Sequence, residues 1–586
     1  MNTTIYAIDY ESFYSKDVSI TTLGVHAYLR HPECDIYLVS IIGDDGFEFV
    51  GHPTEAPWEK LHGATLLSHN RTFDKACMDR CRELGQPTPD YVEWHCTADM
   101  CAGLGIARSL EAASVEILGY QPNKATRANM KGRRIEALNS EDHTELLDYA
   151  LVDSRLCLAL WQELSDQWSL EERHYSAHTT LMCHRGIGLD LEATDKAIKT
   201  LEKTLWECRN TIPWSDKTDG RGKPYATTSP KQMHAECARL GIPAPPNVGD
   251  AEAFAKWMET YGEQAPFVQA VRDYRSINRT AGVVKKLKAS APNGRLKYGL
   301  KYFGAHTGRW SGESGINMQN FPRDEKFGVN IRHLFIPEEG KKFVIADYAQ
   351  IEARVLLWLA GDHAQLDIVR NGTDVYEAHA RQTMGYTDPR PLKDVDPHLR
   401  QYAKARVLGL GYGCGDKKFR ILAKSMCGLD LTQREASKTV YDYRRQNPKI
   451  IALWNQLDRA FKRSKGTDYQ VELPSGRVLT YTNVISSGGW RAKTTRGGGR
   501  PPKNLYGGLL VENLVQATAR DIMAEAIFKL ESAGFPVVLH IHDEVVCEVP
   551  KHTDPKAIEH CMTQLPDWAQ GLPLEAEAEE TTKYKK

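Results

Sequence analysis

The sequence predicts a multi-domain protein of mixed α/β and α+β class, and three observations carry that expectation. A chain of 586 residues has room for about four units at roughly 150 residues each. Over residues 1–165, strand-like apolar runs alternate with helix-spaced patterns, the mark of an α/β unit. Beyond them the pattern turns mainly helical, interrupted by short apolar strands that end in acids. Hydrophobic residues make 41% and charged residues 26% of the chain, ordinary values that exclude a disordered, collagenous or low-complexity protein.

Taken in order, residues 5–8 and 36–42 read as strands, with helical patterns around 73–84 and 142–164. Residues 165–205 are strongly helical in pattern and hold the boundary to the next unit. From 271 to 310 the composition turns basic: Arg272, Lys285, Lys286, Lys288 and six further cations face the single acid Asp273. A second basic stretch, RAKTTRGGGRPPK at 491–503, carries enough Gly and Pro to predict a loop. Such runs are more often solvated faces than binding sites. Two of them in a protein of net charge −1 are better explained by local phosphate contacts. KKFVIADYAQIEARVLLWLAGD predicts a short strand over 343–346 that stops at Asp347, then a helix from about Gln350. RQYAKARVLGLGYGCG predicts a helix with Arg400, Lys404, Leu408 and Tyr412 on one stripe, its C-terminus loosened by Gly409, Gly411 and Gly413. FPVVLHIHDEVVCEVP predicts two strands in a hairpin with His542, Asp543 and Glu544 at its tip.

The charge balance gives no global field for an anionic partner. No apolar run approaches the roughly 18 residues of a membrane helix, and the first residues lack the basic and apolar regions of a signal peptide. Thirteen scattered cysteines, an odd number, suit reduced thiols. The expectation is a soluble, cytoplasmic protein without a membrane partner.

Two groups of carboxylates carry the chemistry. Asp9 and Glu11 form D-Y-E, with both acids on one face of a strand end; alone, such a pair is usually a surface feature. SHNRTFDKA then supplies Asn70 and Asp74, and YALVDS places Tyr149 and Asp153 at i and i+4 on one helical face. Burying such acids together is costly unless cations neutralise them. Magnesium prefers carboxylate oxygens, and a metal pair clamps both oxygens of an in-line phosphoryl displacement. In the second group, Asp347 at a strand end and Asp543 at a hairpin tip meet only if the fold joins their strands. Arg400 and Lys404, stacked on one helix face, suit a polyphosphate, the guanidinium forking two oxygens; a solvated basic helix face is the ordinary alternative.

The ordered set D-x-E, N-x3-D and Y-x3-D resembles the three exonuclease motifs of the DnaQ-like 3′–5′ proofreading family. DYAQIEAR, R-x3-K-x3-L-G-x2-YG and HDE resemble motifs A, B and C of family-A DNA polymerases, and HTGRWSGESGINMQNFPR and VENLVQATARD add further matches. The pattern is most similar to bacteriophage-type members that begin with the exonuclease unit and carry no 5′-nuclease domain; it is weakest over about 165–270.

The resemblance implies a ribonuclease-H-like exonuclease domain at 1–168, followed by a right-hand polymerase. Thumb and connecting helices would occupy 169–305, the first part of the palm 306–362, the fingers with the Gly-rich loop 363–504, and the second part of the palm 505–586. It implies two magnesium ions per active site, with manganese as a substitute. Asp347, Asp543 and the Tyr348 carbonyl would be the polymerase ligands, with Glu544 accessory. Asp9, Glu11, Asp74 and Asp153 would be the exonuclease ligands, with Tyr149 orienting the attacking water. Arg400 and Lys404 would neutralise the phosphates of an incoming deoxynucleoside triphosphate. Glu352 would sit under its sugar and reject a 2′-hydroxyl, Tyr412 would pack near the template base, and Gln350 would be a further nucleotide contact. Arg309, Gln516 and His542 would contact the primer terminus and minor groove. Lys285, Lys286 and Lys288 would grip the duplex backbone.

Two positions depart from the family. Leu408 stands where many relatives carry Phe or Tyr, which predicts rejection of dideoxynucleotides, and Tyr376 stands where His is usual. The implied function is DNA-templated DNA synthesis with proofreading, in phage or prophage replication. The implied partners are primer–template DNA and deoxynucleoside triphosphates, with the protein a monomer in a bacterial host cytoplasm. A helicase, primase or processivity factor is left unspecified. The alternatives are a 3′–5′ nuclease whose polymerase half only grips DNA, and a non-catalytic replication scaffold. Cys77, Cys81, Cys96 and Cys101 fit no common zinc spacing, and His540 and His542 share a strand face beside acids that favour magnesium.

Overall fold

The computed structural model describes residues 4–123, 125–246, 251–313, 315–497 and 501–585. Residues 498–500 of the Gly-rich loop lie outside the described residues. The chain divides into two compact units.

The larger unit opens with a five-stranded mixed sheet. Strands β1 (Ile5–Ser12), β2 (Ile36–Gly43), β3 (Glu48–Gly51), β4 (Ala64–Ser68) and β5 (Tyr91–Cys96) lie in the order β3-β2-β1-β4-β5. β1, β2 and β3 are antiparallel neighbours, whereas β4 runs parallel to both β1 and β5. The strand predicted over 5–8 is longer than expected. An apolar-run criterion stops at Asp9, but the period-2 alternation continues: Tyr10 and Ser12 are buried while Asp9 and Glu11 share the half-open face. Helix α1 (Arg71–Glu83) crosses the sheet with Cys77 and Met78 in a core that includes Ile8, Val39, Leu66 and Trp94. Helix α2 (Ser140–Leu164) is capped by Asn139, whose side chain accepts from the Asp142 N–H. Helix α3 (Leu170–Arg185) follows.

The smaller unit holds residues 186–297, 320–339 and the C-terminal residues from Thr581. The helical pattern expected through 205 is broken there by a strand, Ile187–Leu189, which pairs with Arg295–Leu296 and Phe335–Ile336. Non-local pairing of this kind overrides local periodicity. Helices α4 (Leu191–Thr211) and α5 (Pro266–Ser290) pack together, and Trp214, Phe254, Trp257 and Phe267 form a separate core beside them. Acids on α4 occupy two of the predicted backbone-gripping cations: Lys285 pairs with Glu202 at 2.6 Å and Lys288 with Asp195. Lys286 has its pKa lowered by burial.

The larger unit continues with a four-stranded sheet built from β6 (Lys341–Tyr348), β7 (Val537–Ile541), β8 (Glu544–Pro550) and β9 (Ala576–Thr581), ordered β7-β8-β6-β9. Helices α6 (Ile351–Ala360), α7 (Pro397–Leu410) and α8 (Gly507–Ser532) belong to the same unit. α7 ends two residues before Tyr412, which therefore stands past the helix: the chain turns at Gly413 with φ +80°. The segment predicted as a loop at 491–503 is bounded by two short strands, Arg491–Lys493 and Lys503–Asn504, which pair antiparallel. Gly and Pro content does not reveal that pairing. Among the described residues, no helix is long and apolar enough to cross a membrane.

A buried ionic cluster joins α3 to α8. Arg520 donates to Glu172 at 2.5 and 2.9 Å and to Asp521 at 3.1 Å, and Arg477 lies 2.9 Å from Asp521. The rings of Trp310, Phe303, Tyr302 and Tyr175 surround the Arg520 guanidinium.

Candidate active sites

The first site lies at the end of the mixed sheet. Asp9 and Glu11 project from one face of β1, Asp74 from the first turn of α1, and Tyr149 and Asp153 from one face of α2. All five line one cavity of about 600 Å³, with Asn70 at its edge. The Tyr10 N–H donates to Asp74 at 3.1 Å and holds that carboxylate against β1. Burial raises the pKa of Asp9 well above the usual carboxylate range, and Glu11, Asp74 and Asp153 add to the shift. Burial likewise pushes Glu11 up to about 7 and Asp74 up to about 8. Desolvated carboxylates facing one another resist ionisation. Tyr149 is raised by burial and then by Asp153.

Charged residues outside the three motifs also reach this cavity. Arg127 is a cation that pulls the pKa values of Asp9 and Glu11 down, and Arg108, Lys301 and Glu313 also line the walls. No local pattern marks Arg127, Arg108 or Glu313, which arrive from separate parts of the chain, whereas Lys301 belongs to the basic run at 271–310.

The second site is at the end of the β7-β8-β6-β9 sheet. β6 and β8 are antiparallel with Asp347 opposite Glu544, and the Tyr348 N–H donates to the Asp543 carbonyl at 3.1 Å. This register brings Asp347 and Asp543 together, although they are far apart in sequence. Asp543 has its pKa raised by burial and by the Asp347 carboxylate, and Glu544 is buried. Two residues beside these acids adopt left-handed backbone: Gln350 at φ +51° and His542 at φ +54°. His542, Asp543, Arg309 and His540 line a small cavity of about 20 Å³.

The predicted nucleotide contacts divide between two settings. Arg309 forms an ion pair with Glu352. Tyr412 is close enough to Glu352 and Glu512 for both to raise its pKa, after burial. Its carbonyl lies against Gly508, where an added Cβ would stand 2.3 Å from the Tyr412 oxygen. Arg400 instead donates to Asp374 through Nε at 3.0 Å and through a terminal nitrogen at 2.8 Å. Tyr376 faces the same guanidinium at 5.3 Å and has its pKa pushed up to about 12 by burial. Gln350, Asp374 and Arg400 line a cavity of about 570 Å³. Lys404 and Leu408 follow Arg400 at four-residue steps as half-buried positions of α7. Gln516 donates to Glu512 at 3.4 Å.

Both acid groups offer oxygen donors whose desolvation and mutual repulsion a divalent cation would relieve, so the donor chemistry fits magnesium. Among the described residues, no three His, Cys, Asp or Glu side chains stand as a ready-made ligand set. Cys77, Cys81, Cys96 and Cys101 are buried thiols with pKa values raised by burial.

The sequence model of DNA polymerase family A matches residues 199–586. The chain belongs to DNA polymerase family A. It is 28% identical to the DNA polymerase of Bacillus phage SP02, over 99% of each chain. It is 30% identical to DNA polymerase I of Pseudomonas aeruginosa over 56% of this chain and 35% of that one. It is 29% identical to the thermostable DNA polymerase I of Thermus aquaticus over 56% of this chain and 38% of that one. The chain thus spans well under half the length of these two bacterial relatives. In fold it is similar to the POL domain of Pol1 from M. smegmatis, solved in complex with DNA primer-template and dNTP. That likeness has a TM-score of 0.68 and 19% identity, and covers all of this chain and 96% of the other.

Proposed function

We propose that this family-A polymerase extends a primer on a DNA template at the Asp347–Asp543 site and excises mispaired 3′ ends at the Asp9–Glu11–Asp74–Asp153 site. The observation that carries the proposal is the presence of two separate acid clusters, one at the end of each sheet. The sheet order β3-β2-β1-β4-β5, with two antiparallel and two parallel pairings, supports a ribonuclease-H-like excision domain over 1–168. In the same reading, 169–305 is the thumb with its connecting helices, 306–362 and 505–586 form the palm, and 363–504 the fingers.

Asp347, Asp543 and the Tyr348 carbonyl would hold magnesium at the synthesis site, and Asp9, Glu11, Asp74 and Asp153 would hold it at the excision site. When bound, such ions neutralise phosphate charge and acidify an oxygen nucleophile. The chain's own groups do the rest. Asp374 and Tyr376 hold the Arg400 guanidinium in a fixed orientation, from which it and Lys404 counter the triphosphate charge. Glu352, held by Arg309, closes the space a 2′-hydroxyl needs. Tyr149 fixes a water beside the scissile phosphate. A mispaired end frays more readily and reaches the excision cavity as a single strand. The 28% identity to a phage polymerase over both full chains supports a role in phage or prophage replication.

The test is extension and degradation of a labelled primer–template with magnesium by wild type, Asp543→Ala and Asp9→Ala. The proposal expects Asp543→Ala only to degrade and Asp9→Ala only to extend. A wild type that degrades but never extends would leave a nuclease with a DNA grip, and one that does neither would leave a scaffold.

A further inference from the structure

The basic segment that begins at Arg491 has no part in either site above, yet its Arg496 is bonded to residues 105–107, which immediately precede a wall of the excision cavity. Arg496 lies beside 105–107 as a parallel β-bridge: its N–H donates to the Gly105 carbonyl at 2.7 Å, and its own carbonyl accepts from the Ala107 N–H at 2.8 Å. The next residue, Gly497, has φ +69°, and an added Cβ there would stand 3.1 Å from the Ala112 carbonyl oxygen and 3.6 Å from Ala107 Cβ. The backbone therefore passes so close to 107–112 that only a residue without a side chain fits without strain. The Arg496 side chain takes little part in this, pairing with Asp468 at 3.3 Å on the surface.

The gripped segment leads directly into the cavity. Arg108, Ser109, Leu110 and Glu111 line the same space as Asp9, Asp74 and Asp153. Arg108 is fixed on its other sides as well. Its carbonyl faces His69 Nε2 at 2.8 Å, and its guanidinium donates to Asp99 at 2.6 Å and to the Tyr302 carbonyl. At the 105–107 end, Gly105 and Ile106 donate to the Ala102 carbonyl at 3.2 Å and the Cys101 carbonyl at 2.8 Å, and the strap at 496–497 adds two further backbone bonds there.

We propose that Arg496 and Gly497 act through their backbone as positioning residues for excision: the strap holds the 108–111 wall in the shape that receives a single strand. The proposal rests on the excision reading above. It assigns the strap no contact with substrate and no part in synthesis.

Two variants attack different contacts. Gly497→Val crowds the Ala112 carbonyl, and Arg496→Pro deletes the N–H that donates to Gly105. Arg496→Ala keeps both backbone bonds and serves as the control. Each is assayed with magnesium for excision of a 5′-labelled single-stranded oligonucleotide, for primer extension and for thermal unfolding. The expected result is a KM for the single strand raised about tenfold in Gly497→Val and Arg496→Pro, with kcat, extension rate and melting temperature close to wild type. Arg496→Ala should match wild type throughout. If wild type excises and both variants keep its KM, the strap has no positioning role while the excision reading stands. If kcat, extension and melting temperature fall together, the strap is only architectural and the proposal is overturned. If wild type leaves the single strand intact, the excision reading itself fails and this inference with it.

Discussion

Replacing Arg520 with Met should destabilise the larger unit by about 3 kcal/mol, toward the lower end of the ~3–5 kcal/mol that follows loss of one partner from a buried ion pair. The Arg520 side chain is 0% exposed and its main partner Glu172 is 14% exposed. Glu172 keeps its pKa below the usual range although burial raises it, because the Arg520 charge and hydrogen bonds outweigh that burial. Methionine fills similar volume against the surrounding rings but leaves Glu172 with Arg477 at 4.0 Å as its nearest remaining cation. Asp521 keeps Arg477 at 2.9 Å, which is why the lower end of the range applies. For a unit of this size the loss corresponds to about 3–6 °C in melting temperature, extrapolating from 2–4 °C per kcal/mol in smaller domains. Differential scanning calorimetry at pH 7 reads it directly. Adding Glu172→Gln to Arg520→Met should recover more than half of the loss, since the orphaned charge carries most of the cost. A single variant as stable as wild type, or a double variant no better than the single one, would refute the reasoning.

Two further outcomes follow from particular side chains. Leu408→Tyr should raise dideoxynucleotide use relative to deoxynucleotide, because leucine offers apolar contact but no hydroxyl to replace the missing 3′-OH; an unchanged ratio in primer-extension competition would sink this account. Asp74 at about 8 and Glu11 at about 7 lie above their unfolded values, so the metal-free native state binds protons that the unfolded state has released. Their contribution to stability in EDTA should therefore be fully present below their ordinary values of 3.8 and 4.5 and be lost as pH rises through about 7 to 8. Asp74→Asn should flatten that profile, and an unchanged slope in urea titrations would count against it.

Much of the candidate chemistry was legible because it follows local periods. Asp9 and Glu11 share a face through the strand period of two, and Tyr149 and Asp153 through the helical i,i+4 step. The hairpin at Asp543 was legible as two apolar runs around a polar turn. The convergence of Asp347 with Asp543 was legible only through the motif resemblance and not from local pattern, since it depends on the pairing of β6 with β8. Arg127 and Arg108 entered the cavity of Asp9 and Asp153 unannounced for the same reason. Composition also overstated free charge: Lys285 and Lys288 sit in a cation-rich run but pair with acids on α4, and Arg400 is engaged by Asp374. Tyr412 left its helix because Gly413 turns the chain, which a four-residue stripe does not register.

Among the described residues, five non-glycine positions have left-handed backbone, and two of them, Gln350 and His542, lie beside Asp347 and Asp543. Valine, isoleucine and threonine are sterically poor at such φ values, whereas glycine, asparagine and histidine are tolerated. A saturation library at these two positions would therefore rank substitutions first by backbone shape and only then by chemistry. A sharp intolerance there would be mistaken for catalytic necessity unless glycine were read as the reference residue in place of alanine.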